Sequence, residues 1–331
     1  MTDTRYDVLG IGNAIFDILG HVEDDALARL GVAKGSMRLV DEAGARAVDA
    51  ELADAVRVSG GSAGNTVAGV ASLGGRAAFI GKVATDAYGE AYTHDMRHAG
   101  VAFETPPLAN GAPTATSTIL VTSDGERTMN TFLGASQALG PDDVDGALVE
   151  ASAITFLEGY LFDPPHAKAA FRRAAELAAA AGRTTALTLS DTFCVERHRA
   201  DFLDFLSSGT IHLAFANAAE ARALAETDDL DAACERLAGL VPMAVVTMGE
   251  HGARVLAGAE RIDVPAVPTR VVDLTGAGDL FAAGFLLGRA RGAAPEPSAR
   301  LGAFAAAEVI SHFGARPQTR LEALAREAGL P

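Results

Sequence analysis

The sequence predicts an α/β fold: a central, mostly parallel sheet flanked by helices, with a small β-sheet beside it. Three observations carry that expectation. Short apolar runs of strand length alternate with helical runs along most of the 331 residues. Hydrophobic residues make up 49% of the chain and charged residues 21%, enough for a large core within an ordinary polar surface. Two glycine-rich turns, at 59–66 and 273–279, each lead straight into an apolar helical run. The length exceeds the usual single core, so one large domain over 1–331 with an accessory subdomain is expected.

The first strand is expected over 6–12, an apolar run that ends in glycine. After Asp17 the runs shorten, to 18–22 and 37–40. Residues 116–122 and 128–132 read as a hairpin joined by Ser-Asp-Gly-Glu. These pieces are assigned to one small sheet, a lid subdomain formed by about 15–45 and 105–133. Elsewhere strands are expected at 77–81, 153–157, 185–189, 211–216 and 244–248, with helices at 65–73, 88–99, 167–181 and 219–225. Pro295 and Pro297 are read as a surface loop between the last two helices.

With 27 basic and 43 acidic residues the formal charge is −16. Such a surface repels nucleic acid and anionic membranes, so a nucleotide has to bind in a local pocket. Cys194 and Cys234 form no disulfide framework and are expected as reduced thiols. The start, Met-Thr-Asp-Thr-Arg-Tyr-Asp, lacks the basic and apolar regions of a signal peptide, and charges interrupt every long apolar run. A cytoplasmic protein with neither nucleic-acid nor membrane partners is expected, as a monomer or a homodimer.

Residues 271–285 are the most informative stretch: Val-Val-Asp-Leu-Thr-Gly-Ala-Gly-Asp followed by an apolar helical run. Amides that open a helix are unpaired and sit at the positive end of its dipole, so they bind anions. Gly276 and Gly278, flanking Ala277, let that backbone approach a phosphate, and Asp279 stands where a carboxylate could take a proton from an attacking hydroxyl. That combination suggests phosphoryl transfer to an alcohol. The string Asp-x-Thr-Gly-Ala-Gly-Asp resembles the C-terminal signature of the ribokinase-like, phosphofructokinase B-type (PfkB) family of sugar and nucleoside kinases.

Other segments share the resemblance. Ser59-Gly-Gly-Ser-Ala-Gly-Asn-Thr66 offers backbone amides, a hydroxyl and an amide side chain able to hold a polyol, and it resembles the family's N-terminal signature. The run from Gly81 through Lys82 and Asp86 to Gly89 continues it. Asn13 and Asp17 follow the first strand, where an amide and a carboxylate suit vicinal hydroxyls. The family's sugar-binding aspartate carries over to Asp17. Asn217-Ala-Ala-Glu220 resembles the Asn-x-x-Glu motif that organises Mg²⁺, largely through water. Thr247, Gly249 and Gly252 match the family's nucleotide loop. Competing phosphate motifs fail. A Walker A loop meets Arg76 and Val83 at required positions, and a dinucleotide fingerprint meets Ile15.

The resemblance runs from residue 8 to about 315, with the motifs in family order. It implies a ribokinase-like fold and an ATP- and Mg²⁺-dependent kinase acting on a small nucleoside or sugar. Details at the first strand and in the second motif look like the adenosine kinases, which implies transfer to the 5′-hydroxyl of adenosine. Asn13, Asp17, Gly61, Ser62 and Asn65 would hold the sugar. Asp279 would be the general base, and the amides of Gly276, Ala277 and Gly278 would stabilise the transferring group. Met37, Phe132 and Tyr160 are candidate walls for a base, or core. Arg127 is expected either to reach the phosphates on lid closure or to be a solvated surface arginine. Asp273 and Thr275 match two ligand positions of the family's potassium site, whose remainder would fall at 308–314. Segment 157–165 departs from the eukaryotic adenosine kinases. A sugar kinase of the same fold and a non-catalytic nucleotide-binding protein are the alternatives.

Overall fold

The computed structural model describes residues 4–330 except Ala53 and Gly125. Gly125 of the expected hairpin turn, and Met1 to Asp3 of the leader reading, therefore lie outside the described residues. In chain order the strands are β1 (Tyr6–Ile11), β2 (Ile15–His21), β3 (Met37–Leu39), β4 (Val56–Ser59), β5 (Ala77–Ile80), β6 (Val101–Phe103) and β7 (Ala115–Val121). Then come β8 (Arg127–Phe132), β9 (Ser152–Glu158), β10 (Thr184–Thr188), β11 (Leu213–Asn217), β12 (Met243–Thr247), β13 (Ala253–Ala257) and β14 (Glu260–Val264).

Nine strands form the large sheet in the order β14-β13-β12-β11-β10-β9-β1-β5-β6. It is parallel from β6 across to β12, and β13 and β14 close one edge antiparallel. Successive strand residues face opposite ways, and both faces are buried. Val8, Phe79, Phe156, Phe215 and Val245 pack under helices Ser62–Ser72, Ala277–Ala290 and Pro295–Val309. Leu9, Ile80, Leu157, Leu187 and Val246 pack under helices Pro165–Ala180, Thr192–Leu206, Ala218–Ala225 and Leu230–Ala238. This double burial explains the near-continuous apolar runs in the strands.

A smaller sheet has the order β3-β8-β7-β2-β4. It gathers the short β-rich pieces expected from the sequence and adds β4 at one edge, which the sequence reading did not assign. The β13–β14 hairpin was also not assigned; its strands carry Arg254, Arg261 and Asp263, and so lack the apolar run that marked the buried strands.

One expectation is corrected. Pro295 and Pro297 are not in a loop but in the first turn of helix Pro295–Val309. Proline is tolerated there because the first-turn amides have no intrahelical acceptor. A further helix, Leu321–Glu327, follows. No helix among the described residues is long and apolar enough to cross a membrane.

Candidate active site

A cleft of about 630 Å³ lies at the C-terminal ends of the parallel strands, with the smaller sheet above it. Ligands of open α/β sheets bind at that end, because strand-to-helix turns there present helix N-termini and side chains together. Asn13 follows β1, and Thr188, Asn217 and Thr247 end β10, β11 and β12; all four line the cleft. The smaller sheet contributes Ile15, Asp17, Met37, Leu39, Ser117, Met129 and Thr131 to the opposite wall.

The two glycine-rich turns meet here. Gly61 caps helix Ser62–Ser72 with φ of 85°, and a Cβ there would lie 2.2 Å from the Asn13 carbonyl oxygen. Only glycine allows that approach. Gly276 caps helix Ala277–Ala290 with φ of 80°, and a Cβ there would sit 2.7 Å from the Ala315 carbonyl oxygen. Gly276, Ala277, Gly278 and Asp279 all line the cleft. The Ala277 amide turns back to the Leu274 carbonyl at 3.3 Å, so the Gly278 amide is better placed for an incoming anion.

Asp279 is the centre of a hydrogen-bonded group. Ser62 Oγ donates to its Oδ1 at 2.7 Å, and Asn65 Nδ2 donates to its Oδ2 at 3.0 Å. Arg316 Nε in turn donates to Asn65 Oδ1 at 3.2 Å. Burial pushes the Asp279 carboxyl up to about 6, against the Ser62 and Asn65 donors and the Arg316 charge. Across the cleft, burial pushes Asp17 up to about 7, opposed by Arg316 and Arg127 and reinforced by Asp279. Burial also draws the Arg316 guanidinium below its ordinary value, against the pull of Tyr92 and the Asp17, Asp95 and Asp279 carboxylates.

Glu158, at the end of β9, is fully buried. Its Oε1 accepts the Asn13 backbone amide at 3.2 Å and Asn13 Nδ2 at 2.8 Å, and its Oε2 accepts the Ala63 amide at 2.8 Å. It therefore joins β1 to the N-terminus of helix Ser62–Ser72, where a carboxylate also meets the favourable end of the dipole. Burial raises it to about 7 despite those donors. Neither Glu158 nor Arg316 was assigned a role from the sequence. The signal for Glu158 was a lone charge ending the run Ile-Thr-Phe-Leu-Glu; Arg316 carried none beyond its position before Pro317.

The remaining expected residues divide. Tyr160 lines the cleft; its amide donates to Ser190 Oγ at 3.1 Å and its hydroxyl to the Ser190 carbonyl at 3.3 Å. Phe132 does not line it, because strand alternation turns Met129 and Thr131 inward and Phe132 to the other face; Leu133 lines the cleft instead. Glu220 is 4% exposed, lines the cleft and is raised to about 7 by burial, against hydrogen bonds from Asn217. Asn217 and Glu220 also cap each other at the start of helix Ala218–Ala225. Gly249 and Gly252 shape the β12–β13 turn outside the cleft lining, while Thr247 reaches it. The Gly81–Gly89 motif is structural in this arrangement: Asp86 caps helix Ala87–His98 and accepts the Thr114 amide and hydroxyl, while Lys82 pairs with Asp143. Arg127 and Asp273 form a buried ion pair, and Thr275 donates to Asp273.

The sequence from 36 to 321 matches the model of the pfkB family carbohydrate kinases. A probable sugar kinase from Rhizobium etli is 48% identical, superposes with a TM-score of 0.94, and is matched over 99% of this chain and 100% of its own. The adenosine kinase from Sinorhizobium meliloti is 53% identical with a TM-score of 0.92, over 98% and 99% of the two chains. An adenosine kinase from Saccharomyces cerevisiae is 27% identical over 331 residues, which is 92% of this chain and 94% of that protein.

Proposed function

The chain belongs to the pfkB family of carbohydrate kinases, and from that premise we propose that it transfers the γ-phosphoryl group of ATP to the 5′-hydroxyl of adenosine, giving AMP and ADP. The observation that carries this reading is Asp279, a carboxylate raised to about 6 and held by Ser62 and Asn65 at the mouth of a glycine-capped helix.

Asp17 and Asn13 bind the ribose hydroxyls, with Gly61 closing the turn beside them. Asp279 accepts the proton of the attacking 5′-hydroxyl, and Ser62 and Asn65 orient it rather than serve the sugar alone. The amides of Gly276 and Gly278 at the helix N-terminus stabilise negative charge on the transferring group. Positioning and electrostatics supply most of the acceleration, because phosphoryl transfer asks little covalent chemistry of the protein.

Glu220, its carboxylate fixed by Asn217, fits a Mg²⁺ ion held through water, since a desolvated carboxylate at the cleft wall regains its charged form beside a cation. Bound there, Mg²⁺ would neutralise charge on the nucleotide phosphates. Thr247, which ends β12 and lines the cleft, would contact the nucleotide. Adenosine is favoured as acceptor by Met37, Leu39, Met129, Leu133 and Tyr160, an apolar wall that gains contact from a base and none from a free sugar. The likeness to the Sinorhizobium meliloti adenosine kinase supports the same choice. The test is ADP release with adenosine and ATP: it should occur only with acceptor present and be lost in Asp279→Asn. No ADP with any nucleoside or sugar would refute the kinase reading.

A further inference from the structure

Arg127, at the start of β8 in the smaller sheet, places Nη1 2.6 Å from Asp273 Oδ1, and the two side chains are only 15% and 3% exposed. Asp273 opens the Asp-Leu-Thr-Gly-Ala-Gly-Asp turn. Its Oδ1 also accepts the Thr275 amide at 3.0 Å and the Thr275 hydroxyl at 2.8 Å, and its Oδ2 accepts the Gly314 amide at 2.8 Å. Three donors, one of them a guanidinium, crowd Oδ1 and one meets Oδ2, so both oxygens already accept and the charge already has its counter-ion.

That arrangement does not fit a monovalent cation at Asp273. A cation coordinates oxygen lone pairs, and here N–H and O–H groups point at them. The 308–314 loop, expected to complete such a site, instead turns the Gly314 amide, a donor, toward Asp273. It also lays the Phe313 ring 4.8 Å from the Arg127 guanidinium carbon, a cation–π contact that fixes the arginine from its other side. Arg127 Nε and Nη2 are buried without a hydrogen-bond partner among the described residues, so the guanidinium can hold Asp273 and still offer donors.

We propose that Arg127 is a positioning residue whose guanidinium is the built-in cation of the anion hole, so that seating the smaller sheet also orders the turn at 273–276. The ion pair neutralises Asp273, and Asp273 holds the Thr275 amide and hydroxyl one residue ahead of the Gly276 cap. The smaller sheet and the phosphate-binding turn are thereby coupled through this ion pair, and potassium is dispensable. This inference rests on the kinase reading above.

The test uses the full chain with ATP and adenosine, in potassium chloride and in tetramethylammonium chloride at equal ionic strength. Wild type and Arg127→Lys should turn over equally in the two salts. Arg127→Gln should lose about tenfold in tetramethylammonium, the rate equivalent of one charge-assisted hydrogen bond. Potassium should restore part of that loss. Thermal unfolding without substrates gives a readout apart from activity. Potassium should raise the Tm of Arg127→Gln and leave wild type unmoved, because an ion bound only by the folded form stabilises it. A wild-type rate several-fold higher in potassium overturns the proposal, however impaired the glutamine variant proves. So does an Arg127→Gln protein indifferent to potassium in both rate and Tm. If wild type phosphorylates no acceptor, the kinase reading fails instead, and the Tm comparison alone decides this one.

Discussion

Asn65 Nδ2 lies 3.0 Å from Asp279 Oδ2, a hydrogen bond between residues 214 apart in the sequence. It makes one site of two glycine-rich turns that open different helices. Arg316 extends the chain by donating to Asn65 Oδ1, so the amide orientation is fixed from behind and its donor face is left for the carboxylate. The proposed base is thus aimed by residues that the sequence had suggested for the sugar.

Asp279→Asn should reduce kcat by about 10²–10⁴-fold, the usual worth of a positioned base. The fold should survive. Removing a desolvated charge offsets the donor that the new amide turns toward Asn65. Steady-state ADP release and thermal unfolding check the two halves of this statement, and a near-normal kcat would dismiss Asp279 as the base.

The pH profile should carry an acid limb. A base must be ionised to accept a proton, so activity falls as pH drops through the Asp279 value of about 6. Asp17, raised to about 7 by burial, must also ionise to hold the ribose hydroxyls most strongly, which places the limb of kcat/KM between about 6 and 7. Ser62→Ala removes a donor to the charged form of Asp279, so the limb should move to higher pH. A limb that moves down, or stays in place, contradicts the assigned hydrogen bond.

Much of this site is legible in the sequence. Asp17, Gly61, Gly276 and Asp279 stand in short strings whose chemistry is local: a glycine where backbone must come close, and a carboxylate beside a helix N-terminus. The doubly buried strands were legible as apolar runs, and the helices between them as Ala-rich or periodic stretches. What escaped depends on distance. Glu158 acts on Asn13 and Ala63 only because β9 lies beside β1, a neighbour relation that no local pattern records. Phe132 was misplaced because strand register decides which of two adjacent residues faces a cleft, and one position reverses the answer. Pro295 was read as a loop because proline at a helix start and proline in a turn look alike in one dimension.

Glu158 also yields a stability prediction with a definite sign. Its folded-state value, about 7, stands above its ordinary 4.5. Such a group contributes stability that is complete below about 4.5 and is lost as pH rises through about 7. Glu158→Gln should therefore flatten the decline in thermal stability over that window. Asp17 and Glu220, raised in the same direction, keep part of the slope. The variant should also raise KM for the acceptor, because Asn13 loses its ionised partner. An unchanged pH slope would show that Glu158 titrates in the folded protein as it does in the unfolded chain, already ionised across that window.

Strands β2, β3, β7 and β8 roof the cleft, and water left beside a bound nucleotide would compete with the acceptor hydroxyl. Adenosine together with a non-hydrolysable ATP analogue should draw the smaller sheet down. Small-angle scattering should report a reduced radius of gyration with both ligands present. An identical curve with and without them would argue for a roof that does not move.

A nucleoside acceptor and a free-sugar acceptor are separated by kcat/KM for adenosine, ribose and fructose measured on one preparation. Asn13 and Asp17 would serve any of the three, whereas Met37, Leu39, Met129 and Tyr160 reward only the acceptor that carries a base. Burying one face of a purine there is worth on the order of 2 kcal/mol, or about thirtyfold in kcat/KM. Adenosine should lead both sugars by at least that factor. Ribose or fructose equal to adenosine, or ahead of it, would rule out a nucleoside kinase and make the protein a sugar kinase.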